Sequence, residues 1–218
     1  MLLAFLYILL ALPLAVLVLY TLVRIVRYFH KFPMPEFLAN AIDNPLRRRI
    51  QPPHEMPRRH GVEPGMTVLE VGPGNGRYTV EAARAVGPAG KVIAVDIEPK
   101  MIERVSRRAR AEGVTNLEAK TASVYDLPFP DATFDAVSMI AVISEIPNPE
   151  RALSEFYRVL KPTGTLAFSE LITDPDYPLA RTLIRRAGTA RFRLRRRLGN
   201  FLAYTLVFQK AQENAAYR

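Results

Sequence analysis

Hydrophobic residues follow three different patterns along this chain. From Leu2 to Val23 they run for 22 residues without a charge, dominated by Leu, Ala and Val. As a helix this stretch extends about 33 Å at roughly 1.5 Å per residue, against a bilayer hydrocarbon core of about 30 Å. Its apolar residues cover every face, which disfavours a buried core helix with one greasy stripe. Tyr7 and Tyr20 lie toward its two ends, and Pro13 predicts a kink of the kind membranes tolerate. No basic segment precedes the run and no small-residue cleavage site follows it, so it reads as a single transmembrane anchor over 1–23 rather than a cleaved signal. Residues 24–60 form the second pattern, a basic linker broken by Pro33, Pro35 and Pro45, then by Pro52, Pro53 and Pro57, with room only for short helices.

From residue 61 to about 210, short apolar runs alternate with helical-period segments. Strands are predicted near 66–71, 91–95, 117–121, 134–140 and 164–170, and helices near 76–86, 99–112, 149–160 and 177–187. Gly87-Pro88 and Gly113 end the first two helices. Arg191–Arg197 and Phe201–Phe208 flank Leu198-Gly199-Asn200, which predicts a closing hairpin. Residues 211–218 read as a tail.

Strand-helix alternation predicts a parallel α/β sheet. The segment Val68-Leu69-Glu70-Val71-Gly72-Pro73-Gly74-Asn75-Gly76-Arg77 sharpens this, since a buried strand breaks there into a glycine turn and enters a helix. Twenty residues after Gly76, the strand Val92–Val95 ends in Asp96. This is the arrangement that holds an adenosine ligand at the carboxyl edge of a parallel sheet. A dinucleotide site places glycines first, third and sixth, but the sixth position here is Arg77. The observed spacing is G-x-G-x-G.

That spacing, with Glu70 two residues ahead, resembles motif I of the class I S-adenosylmethionine (SAM) methyltransferases. Asp126-Leu127-Pro128-Phe129-Pro130-Asp131-Ala132-Thr133-Phe134-Asp135 is similar to their later loop and fourth strand. Arg158-Val159-Leu160-Lys161-Pro162-Thr163-Gly164 is similar to the entry into their fifth. The resemblance covers roughly 62–210 and is nearest to the small methyltransferases related to quinone biosynthesis. It implies a Rossmann-like, doubly wound seven-stranded sheet with an antiparallel last strand. It also implies SAM as cofactor: Gly72, Gly74 and Gly76 at its methionine end, Glu70 positioning its ammonium, Asp96 on the ribose hydroxyls, Ile97 on the adenine face, and Ala122, Ser123 and Val124 near the adenine amine. Ser123 departs from the family, where many relatives carry an Asp. After strand four, Ser144 and Glu145 stand where acceptors meet the methyl group and are the catalytic candidates. Tyr78 either closes over the cofactor or packs. His54, Glu55 and His60 precede strand one, in the part of 24–60 where the resemblance implies a lid and acceptor pocket; each is expected to be a surface residue rather than a base.

Composition removes several alternatives. The chain has no cysteine, which excludes the cysteine adduct of cytosine-C5 methylation and the thiolates of arsenic methylation; three histidines, all before the first strand, disfavour a metal centre. Charge is segregated. Residues 24–60 carry eight Lys or Arg against three acids, 181–197 carry eight arginines and no acid, and the remainder nets −4. Basic segments this dense are expected to face a polyanion, here anionic membrane lipid. Arg24, Arg27 and Lys31 beside the apolar run place the enzyme on the cytoplasmic side. The combined expectation is a membrane-anchored methyltransferase acting on a lipid-borne acceptor, either a phospholipid headgroup or an isoprenoid quinone. An RNA methyltransferase is a rival, although the Asn/Asp-Pro-Pro-Tyr signature of nucleic-acid amine methylation is missing. A SAM-binding scaffold without activity is another.

Overall fold

The computed structural model describes residues 2–29 and 43–211; within the first helix, side chains are described at 11, 13–15 and 17–27. Its centre is a seven-stranded sheet in the order β3-β2-β1-β4-β5-β7-β6, with β1 Thr67–Val71, β2 Lys91–Asp96, β3 Leu117–Thr121, β4 Phe134–Ile140, β5 Leu160–Leu171, β6 Phe192–Gly199 and β7 Ala203–Lys210. The first five strands pair in parallel, and β7 inserts antiparallel between β5 and β6. Strands buried on both faces need apolar runs rather than alternation, and Val68, Leu69, Val92, Ala94 and Val95 are accordingly sealed from solvent. Chain order reverses direction at β1, between β2 and β4. That opens a crevice at the carboxyl ends of the strands.

Helices cover both faces. α1 is Leu2–Phe29, α2 Pro45–Ile50, α3 Met56–His60, α4 Arg77–Val86, α5 Pro99–Ala111, α6 Pro149–Val159 and α7 Ala180–Thr189. In α4 the buried positions Thr79, Val80, Ala82, Ala83 and Val86 recur at helical spacing and meet the sheet. α6 starts where Asn148 accepts a hydrogen bond from the Arg151 amide at 3.0 Å, with Pro149 in the first turn. Phe134, Phe156, Phe168 and Phe208 fill the main core.

The interior strands and helices lie within a few residues of their sequence-based positions. Three expectations need correction. Strand β5 begins at Leu160 rather than 164, because Leu160 pairs with Phe134 across a bulge. The Pro-rich linker expected to start at residue 24 does not begin there, since α1 carries on helically to Phe29; Lys31, Pro33, Pro35 and His30 lie outside the described residues, as do 212–218. Finally, among the described residues no helix is long and apolar enough to cross a membrane. The transmembrane span expected over Leu2–Val23 is therefore not supported by the structure.

His60 also departs from expectation. It is almost fully buried, its Nδ1 2.6 Å from Ser138 Oγ and its Nε2 2.7 Å from Ser169 Oγ, while Ser169 Oγ sits 2.7 Å from Thr205 Oγ1. One imidazole thus ties α3 to β4, β5 and, through Ser169, β7. Residues before strand one gave no apolar periodicity that would signal this burial. Desolvation pushes its pKa down to about 3. The unfolded chain takes up a proton on this residue below about 6.5 while the folded chain does not, so stability is lost as pH falls. The stability difference between the wild type and His60→Asn is expected to shrink by about 2 kcal/mol between pH 7 and pH 5, measured by urea unfolding at both pH values. A constant difference would contradict this role.

Candidate active site

One cavity of about 340 Å³ occupies the crevice at the carboxyl ends of β1, β2, β4 and β5. The turn Gly72-Pro73-Gly74 forms its floor, and the three glycines serve different ends. A Cβ on Gly72 would come within 2.5 Å of Val142 Cγ2, so that glycine lets two chain segments cross. A Cβ on Gly76 would lie 3.2 Å from Val105 Cα, and Gly76 serves helix packing rather than lining the cavity. Only at Gly74, with φ +57°, is the Cβ direction open. All three adopt left-handed φ, where a side chain is strained.

Glu70 is buried beside this turn, and desolvation pushes its carboxyl up to about 8. A cation brought next to it would favour the ionised form. Asp96 ends β2 with Oδ1 accepting from the Glu98 amide at 2.9 Å; burial raises its pKa while backbone amides partly hold it down. Ile97 is largely exposed at the cavity rim. Ala122, Ser123 and Val124 all line the wall, and Ser123 Oγ accepts from the Tyr125 amide at 3.3 Å. An open glycine turn, a buried carboxylate and a second carboxylate at a strand end suit a ligand with a cationic centre and a hydroxylated sugar.

Ser144 and Glu145 also line the cavity, together with a set of charges that the sequence did not reveal. Asp174 and Asp176 lie just after β5, and Glu170 is its penultimate residue. Arg47 of α2 grips Asp174 with two parallel bonds, Nη1 to Oδ1 at 2.8 Å and Nη2 to Oδ2 at 3.0 Å. Burial alone would lower the Arg47 pKa, but Asp174 more than offsets it. Arg27 of α1 is only 3% exposed, donates from Nε to Asp176 and places Nη2 3.2 Å from Glu145 Oε1. Tyr20 donates to the Ile172 carbonyl at 3.0 Å. Thus Arg27 and Arg47, expected to face a polyanion, turn inward onto carboxylates at the cavity mouth. The Asp174-Pro175-Asp176 run at a strand's carboxyl end was the available signal. Tyr78 lines the cavity and donates to the Gln51 carbonyl at 3.1 Å. His54 is exposed, as expected.

Residues 69–168 match the family model of a methyltransferase domain. Fold, site and this match are similar to those of SAM-dependent methyltransferases, and the cavity suits S-adenosylmethionine. Among sequence relatives, the ubiquinone/menaquinone biosynthesis C-methyltransferase UbiE of Escherichia fergusonii is 35% identical over 144 residues, covering 66% of this chain and 56% of the relative. The same enzyme of an Enterobacter species is 39% identical over 119 residues, covering 53% and 47%. The chain thus spans about half the length of the curated relatives it matches. A SAM-dependent methyltransferase from Aquifex aeolicus shares the fold with a TM-score of 0.75 at 24% identity, covering 81% of this chain and 98% of that one.

Proposed function

We propose that this enzyme methylates a ring carbon of an isoprenoid quinol presented at a membrane surface, with the catalytic domain on the cytoplasmic side. The observation that carries the reading is that Gly74 and Asp96 line the same cavity as Ser144 and Glu145. The relatives named for quinone biosynthesis supply the acceptor class. A hydroxylated ring suits the carboxylate-lined acceptor end better than a phosphate, which would meet Glu145, Glu170, Asp174 and Asp176 at close quarters.

The cofactor supplies an electrophilic methyl on a sulfonium. Glu70 would hold its ammonium, Asp96 would accept from its ribose hydroxyls, Ile97 would cover its adenine, and Ala122, Ser123 and Val124 would stand near the adenine amine. Glu145 accepts the proton of a ring hydroxyl, which raises the nucleophilicity of the neighbouring ring carbon. Ser144 orients the same hydroxyl. The cavity walls hold carbon and methyl in line and keep water out.

Apolar side chains support a lipid setting. Leu14, Leu17, Leu19, Leu22 and Ile25 of α1 are exposed, as are Phe201 and Leu202 in the β6–β7 turn. The two patches adjoin, because Tyr20 bonds Ile172 and the Ile172 amide donates to the Leu202 carbonyl at 2.8 Å. Arg193, Arg195 and Arg197 on β6 are exposed and suit anionic headgroups.

The full-length protein in detergent, given methyl-labelled SAM and total membrane lipid, is expected to label a quinone. Label confined to phospholipid, or to RNA offered in parallel, overturns the reading. Asp96→Ala is expected to weaken SAM binding by about 1–3 kcal/mol through lost charged hydrogen bonds, read by calorimetry; unchanged affinity removes Asp96 from the site.

A further inference from the structure

Glu170 is the buried acid that neither cofactor binding nor proton transfer uses. It sits at the end of β5 opposite Tyr204 of β7, is 2% exposed, and lines the acceptor end of the cavity. Its Oε1 is fully enclosed and has no hydrogen-bond partner among the described residues. Nearby cations are committed elsewhere, Arg47 to Asp174 and Arg27 to Asp176 and Glu145. We propose that Glu170 positions the acceptor through a hydrogen bond between its carboxyl group and a ring oxygen, so that the pocket selects a hydroxylated or carbonyl-bearing ring over an amine.

Several charges decide which partner donates. Burial, then the carboxylates of Asp174, Glu145 and Asp176, hold the Glu170 pKa well above the usual range, with Arg47 opposing them. Tyr177 and Tyr204 also face it, and both are raised in turn, first by burial. These surroundings favour the protonated carboxyl, which donates the hydrogen bond. A ring oxygen gains negative charge as Glu145 takes its proton, so this bond strengthens on the way to the transition state. A neutral amine that accepts this bond ties up in it the one lone pair that would attack the methyl, whereas a quinol oxygen accepts it and leaves the ring carbon free to react. The inference rests on the quinol reading above.

The test compares wild type, Glu170→Gln and Glu170→Leu, all full length in detergent, with a short-tailed reduced prenyl naphthoquinone lacking the ring methyl. Gln retains a donor of the same shape and is expected to keep KM for the quinol within about threefold, whereas Leu raises it about tenfold or more. SAM affinity should be unchanged in both. With rising pH the wild-type KM increases as Glu170 loses its proton, and the Gln variant loses that limb of the profile. Equal KM in wild type and Leu, with only the melting temperature changed, overturns the inference and leaves the quinol reading intact. Failure of the wild type to methylate the quinol overturns both.

Discussion

Replacing Arg27 with methionine is expected to lower the stability of the chain by about 3–5 kcal/mol, the usual cost of removing one partner from a buried ion pair. Met fills much of the same volume but removes the guanidinium that Asp176 and Glu145 share. Both carboxylates are mostly shielded, with 13% and 20% of their side-chain surfaces exposed, so water restores little. The loss falls on the docking of α1, to which the bond from Tyr20 to the Ile172 carbonyl also contributes. Arg27→Lys recovers only part, because an ammonium cannot present the guanidinium fork to two acids. Thermal unfolding followed by circular dichroism, together with protease cleavage between α1 and α2, reads both effects. A change below about 1 kcal/mol would show the pair to be surface-like.

The second large effect concerns chemistry. Glu145→Gln is expected to reduce kcat by about 10²- to 10⁴-fold, the range for loss of a positioned general base. SAM affinity should be preserved, because Glu145 follows β4, whereas Gly74 and Asp96 stand at the ends of β1 and β2. The loss should also depend on the acceptor. A quinol already ionised at alkaline pH no longer requires the base, so the deficit should narrow as pH rises. A uniform deficit at all pH values would instead assign Glu145 to holding Arg27.

Much of this architecture was legible in the residues. Doubly buried strands such as Val92–Val95 show themselves as apolar runs, and the turn Gly72–Gly76 with Asp96 marks the crevice where the chain reverses direction. Such features are local, so a linear reading finds them. Interactions between distant residues were not legible. Arg27 meets Asp176 across 149 positions and His60 meets Ser169 across 109, and no periodicity announces either pairing. Basic residues before the first strand therefore read as a surface facing a polyanion, when two of them neutralise carboxylates at the cavity mouth. Glu170 was hidden for the same reason: within a strand it looks like one more polar position, and its neighbour across the sheet, Tyr204 of β7, lies 34 residues away.

The central claim is transfer of a methyl group to a ring carbon of a quinol, and the most direct measurement uses an acceptor deuterated at that carbon. Full-length enzyme, SAM and the deuterated prenyl quinol are incubated and the product mass is determined. Carbon methylation replaces the deuterium, so the account predicts a product that has gained a methyl group and lost the label. A methylated product that retains deuterium would place the methyl on oxygen, and the absence of any methylated quinol would remove the acceptor class; either result contradicts the account.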